Sequence, residues 1–70
     1  MLYPNLLLAV RRSGLKQFEV AQRARIRETR LSKILRDTPA SADERRALAE
    51  ALKAPAEELF AEQVLHAEMQ

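Results

Sequence analysis

Cysteine and tryptophan are absent from the 70-residue chain. Without cysteine there is no disulfide to staple the fold and no thiolate to hold a metal. The single histidine, His66, builds no metal site without carboxylate help. Glycine occurs once, at Gly14, and proline only at Pro4, Pro39 and Pro55, which leaves too few turn residues for a chain of short strands. The longest apolar run is Leu6–Val10, far short of the roughly 20 residues that span a membrane. The N-terminus has neither the basic segment nor the long apolar stretch of a signal peptide. A cytoplasmic chain is expected.

What is present favours helix. Alanine, leucine, glutamate and arginine dominate, and these are good helix formers. At this length one domain over residues 1–70 is expected, close to the size where a single core is marginal. Net charge is only +2, but it is unevenly spread. Residues 1–36 hold nine Lys or Arg against Glu19 and Glu28, giving +7. Residues 37–70 hold three against eight acids, giving −5. A basic half and an acidic half imply a polarised molecule with one face suited to a polyanion.

Along the chain, periodicity and caps mark five helices, over residues 4–13, 16–24, 28–36, 41–52 and 55–67. Pro4 suits a first turn, where its missing N–H is not needed. Leu6, Leu7 and Val10 share a face, and Leu8 falls off it. Arg11 and Arg12 complement the dipole in the last turn, and Gly14 suits a left-handed helix end. Leu15 is expected in the core. Phe18 precedes the main apolar stripe, and core packing near the end of the first helix is its expected use. Ser41 with Glu44 forms a capping box. Ala47, Leu48, Ala51 and Leu52 point inward on the fourth helix. Leu59, Phe60 and Val64 form the stripe of the fifth. Leu59 is expected in the core; for Phe60 and Val64 core and dimer contact are both open. The tail beyond Leu65 weakens into a polar segment.

Residues 17–36 organise the rest. Val20, Ala21, Ala24, Ile26, Leu31, Ile34 and Leu35 fall at helical spacing on one side, and Arg23, Arg25, Arg27, Arg30, Lys33 and Arg36 occupy the remainder. Two short helices with a tight bend, apolar behind and cationic in front, suit a phosphate-lined groove.

At these residues the chain resembles the phage-repressor/Cro type of helix-turn-helix domain, the XRE family. The resemblance rests on Gly14-Leu15-Lys16-Gln17, Val20-Ala21, Ile26 and Leu31-Ser32-Lys33-Ile34, and continues through Ala49–Leu52 and Leu59-Phe60. It covers roughly residues 5 to 60. It implies an all-α, compact five-helix, lambda-repressor-like fold with the third helix in the major groove of double-stranded DNA. It also implies a homodimer and a repressor-like role in transcription, hence a nucleoid location. By position, Glu28, Thr29, Ser32 and Lys33 are the base readers, and Gln17, Arg25, Arg27 and Arg36 the phosphate contacts. Arg30 is ambiguous and points sideways in one reading. Phe60 and Val64 are the candidate dimer contacts.

Three departures from the family pattern stand out. Arg25 occupies the bend where glycine is usual, at a cost of about 1 kcal/mol. Arg27 stands where Ser or Thr usually caps the third helix, which forgoes about 1 kcal/mol. Val10 and Leu35 replace a buried arginine–glutamate pair. Exchange of both partners for apolar residues is physically coherent, whereas loss of one is costly. Val10 and Leu35 are therefore expected to pack together in the core.

Other functions find less support. Asp43, Glu44, Glu57, Glu58 and Glu62 look like caps and exposed faces, with no base or nucleophile pair to make an enzyme, and no cofactor is implied. A protein-interaction module of antitoxin or anti-repressor kind remains an alternative on the same fold. An RNA-binding module is a third reading, weakened by the scarcity of aromatics for base stacking.

Overall fold

Pro4 opens the first helix, as its fixed backbone angle and absent N–H favour. In the computed structural model, which describes residues 2–61, this helix is α1, Pro4–Arg12. Ser13 closes it. Its N–H bonds to the Ala9 carbonyl at 3.0 Å, and its Oγ donates to the Val10 carbonyl at 2.6 Å. Gly14 follows with φ +77 and open space around its Cβ position. Glycine serves there for conformation, not for room.

The second helix, α2, is Gln17–Ala24. The Lys16 N–H donates to the Glu19 carboxylate at 2.7 Å, one half of a capping box. A lysine side chain cannot accept, so the other half is missing. Arg25 ends α2 in the left-handed region, φ 60 and ψ 40. The N–H groups of Arg25 and Ile26 close the turn onto the carbonyls of Gln22 and Ala21, at 3.1 and 3.0 Å.

After that three-residue turn, Glu28–Arg36 forms α3. Arg27 precedes it in extended conformation, and no side chain caps it. The fourth helix, α4, is Ala42–Leu52 and has the complete box: Ser41 Oγ accepts from the Glu44 N–H at 3.1 Å, and the Glu44 carboxylate accepts from the Ser41 N–H at 2.9 Å. Lys53 ends α4, again left-handed at φ 56. Pro55 leads into a single turn, α5, Ala56–Leu59.

The helices close around one core. Leu6 and Val10 meet Val20, Ala21, Ala24, Leu31, Ile34, Leu35, Leu48 and Leu59 there. Each fully buried Leu or Ile contributes about 1.5–3 kcal/mol. The main packing is α4 along α2, with α2 and α1 against α3, and α5 bridging α1 and α4. Val10 and Leu35 are both buried in this core, at 6% and 7% exposure, in helices that pack together. Leu15 and Ile26 are half-buried against it.

Two expectations are corrected, and two further placements are added. Phe18 is 46% exposed instead of packed, because the core side of α2 is filled by Val20, Ala21 and Ala24. The fifth helix stops at Leu59 rather than running on through Phe60 and Ala61. Of the two roles open for Phe60, the core role is the observed one: it is buried at 6%, and its ring packs edge-on against Tyr3 with centroids 5.0 Å apart. Tyr3, which no helical stripe included, is a fully buried core residue. Val64, the other candidate dimer contact, and residues 62–67 of the expected fifth helix lie outside the described residues.

Tyr3 ties the two ends of the fold together. Its hydroxyl accepts the Ala40 N–H at 3.1 Å, across the loop between α3 and α4. The Arg45 guanidinium lies 6.0 Å from the Tyr3 ring and 5.8 Å from the Phe60 ring, within cation–π range. Arg45 Nε also donates to the Ala40 carbonyl at 3.2 Å.

Candidate nucleic-acid interface

The third helix is apolar on one side and polar on the other. Leu31, Ile34 and Leu35 are buried. Thr29, Lys33 and Arg36 repeat at four and three residues, which at 3.6 residues per turn sets them in one stripe opposite those three. All three are exposed. Ser32 is half-buried beside the stripe. Glu28 is exposed in the first turn, where its negative charge suits the positive end of the helix dipole.

The bend presents two cations. Arg25 and Arg27 are exposed on either side of half-buried Ile26, which packs against the core and holds the turn. Arg25 keeps a left-handed backbone without glycine, so one residue both shapes the turn and carries charge. Gln17 is half-buried in the first turn of α2. Of the residues singled out in the sequence, Thr29, Lys33 and Arg36 thus share one stripe, Arg25 and Arg27 flank its N-terminal end along the chain, and Gln17 sits on the adjoining helix.

Arg30 has a different role. Its Nε and Nη2 grip the Glu44 carboxylate at 2.7 and 2.8 Å, and Nη2 also donates to the Pro39 carbonyl at 3.2 Å. The guanidinium of α3 is thereby clamped to the capping box of α4. Such two-point pairs are directional as well as attractive. Hydrogen bonding from Arg30, aided by the Ser41 N–H, holds the Glu44 carboxyl at about 2, and partial burial opposes this only in part. The sideways reading of Arg30 is therefore the observed one, and it sets the cation behind the exposed stripe. The capping box was visible from local spacing. The pairing with Arg30, fourteen residues away, had no local signal.

Elsewhere the described residues offer little chemistry. No cluster of three or more His, Asp or Glu is placed to hold a metal ion among them. No helix among them is long and apolar enough to cross a membrane. Comparison with protein-family models, with curated proteins and with solved structures finds no match to this chain.

Proposed function

We propose that this protein is a sequence-specific binder of double-stranded DNA, of the phage-repressor helix-turn-helix type, acting as a transcriptional regulator. The carrying observation is the exposed stripe Thr29, Lys33 and Arg36, opposite a buried apolar face and preceded by the exposed cations Arg25 and Arg27. In this reading α3 enters the major groove. Lys33 donates to guanine O6 and N7, Thr29 touches a thymine methyl, and Glu28 accepts from cytosine N4, with Ser32 beside them. Arg25, Arg27 and Arg36 neutralise phosphates, and Gln17 adds a hydrogen bond at the start of α2. Arg30 stays on Glu44 and fixes the angle of α3.

The test is competition binding over duplexes that differ by single base pairs, at several salt concentrations. Three phosphate-bound cations per copy give a log–log salt slope of about −3 per copy. Lys33→Ala should lose about 1–3 kcal/mol on the preferred site and relax preference at one base pair. Arg25→Ala should weaken all duplexes alike and lower the slope by about one. A chain that binds no duplex at low salt would leave the protein-interaction module as the better reading. Preference for single-stranded or looped RNA over duplex DNA would favour the RNA module.

A further inference from the structure

Two large apolar side chains stand in solvent among the described residues, Leu8 at 44% and Phe18 at 46% exposure. Phe18 lies in the first turn of α2, one residue after Gln17. Gln22 is four residues further on and Arg25 seven, so the three form one row along α2 and its end. All three are exposed, while Val20, Ala21 and Ala24 fill the buried side of the helix. At 1.5 Å per residue, Phe18 stands about 10.5 Å from Arg25 along the axis. Arg25 forms no ion pair among the described residues.

Phe18 is the one apolar member of this row. A protein partner is held by a contiguous apolar patch of some hundreds of Å², and the row offers a single ring among polar groups. A nucleic-acid strand has the matching order, because each sugar sits between two phosphates. Gln17 and Arg25, the phosphate-binding groups of α2 and the bend in the reading above, stand on either side of Phe18 along the chain. In a duplex the bases are stacked inside, so a ring held between two phosphate contacts faces a sugar. A deoxyribose presents an unsubstituted methylene at its 2′ position. A ribose presents a 2′-hydroxyl there, both donor and acceptor, which loses its water against a phenyl ring without gaining a partner.

We propose that Phe18 packs against a deoxyribose of the bound strand and so selects DNA over RNA at that sugar. The inference rests on the duplex-binding reading and adds to it a residue that reads neither base nor charge. The contact is apolar, so it releases no counterion and leaves the salt dependence to Arg25, Arg27 and Arg36.

The probe is a DNA duplex of about two helical turns, selected by this chain from a random pool. Phe18→Ala should weaken binding about fivefold and leave the log–log salt slope unchanged. Phe18→Leu keeps an apolar contact and should lose less than about twofold. A second measurement places single ribonucleotides in turn along each strand of the probe. At one position ribose should weaken the original chain about fivefold, and Phe18→Ala should be indifferent to ribose at that same position. Phe18→Gln, which keeps a good helix former on an exposed site, takes the place of Phe18→Ala should the latter fail to fold. Unchanged affinity on loss of the ring, a salt slope that moves with it, or no position where ribose matters to the original chain alone would each overturn the sugar contact and leave the DNA reading standing. A chain that selects no duplex overturns both.

Discussion

At the scale of single residues, two positions govern more than their size suggests. Tyr3 is fully buried, and its hydroxyl is the acceptor for a buried backbone N–H at Ala40. Tyr3→Phe keeps the ring and its contact with Phe60 but leaves that N–H without a partner. The expected loss is about 1–3 kcal/mol, seen in chemical denaturation as a lower midpoint with unchanged slope. A variant as stable as the original would show that water or another group satisfies Ala40. Arg25 has the reverse balance. Its left-handed backbone costs about 1–2 kcal/mol for a residue with a Cβ; glycine removes that cost, but its greater unfolded-chain entropy cancels about 0.4–1 kcal/mol of the gain. Arg25→Gly should therefore raise stability by up to about 1 kcal/mol. If the proposed DNA reading holds, the same variant should lose duplex affinity, since it removes an exposed cation of the bend. A destabilised Arg25→Gly chain would mean that the arginine side chain holds the fold in some further way.

At the scale of helices, the contact between α3 and α4 depends on ionised Glu44. Its carboxyl is held at about 2 in the folded chain against an ordinary 4.5. A lowered folded value means that the stabilisation is complete above about 4.5 and drains away as pH falls towards about 2. Thermal midpoints measured between those limits should fall more steeply for the original chain than for Glu44→Gln, which has nothing there to protonate. Parallel curves would show that the clamp contributes nothing to stability.

The helices themselves were largely readable from sequence. Pro4, Gly14 and the Ser41–Glu44 box mark ends by local chemistry, and the observed bounds of α1 to α4 lie within a residue of expectation. Local rules also anticipated the buried faces of α1, α2 and α3, because a helical stripe repeats. What they missed is non-local. Tyr3 stands before any helix, and its partners are Ala40, Arg45 and Phe60. Arg30 was ambiguous, with a sideways direction one reading, and its partner Glu44 fourteen residues away gave no local signal. Phe18 is exposed where core packing was expected, and Phe60 takes the core role of the two left open, because an aromatic residue at a helix end is buried or exposed by what the fold puts next to it.

At the scale of the whole molecule, the charge asymmetry of the sequence acquires a geometry. The exposed basic residues of the bend and α3 lie in the first half, and the acids of α4 and α5 in the second. Two recognition helices on one face of B-DNA need a separation of about 34 Å, or a multiple of one turn.

The Tyr3–Ala40 hydrogen bond also gives the molecule an internal gauge. Ala40 lies in the loop between α3 and α4, where an amide proton would ordinarily exchange with solvent almost freely. Here its N–H points at a phenol sealed beneath Phe60 and Arg45, with both ends of the described chain converging on it. No small excursion of the loop alone frees it. In deuterated water the Ala40 amide should exchange as slowly as those of Leu31 and Leu48, at the rate set by opening of the entire domain. In Tyr3→Phe it should exchange with the rest of the loop. One loop proton, followed by NMR, would then read out how often the whole fold comes apart.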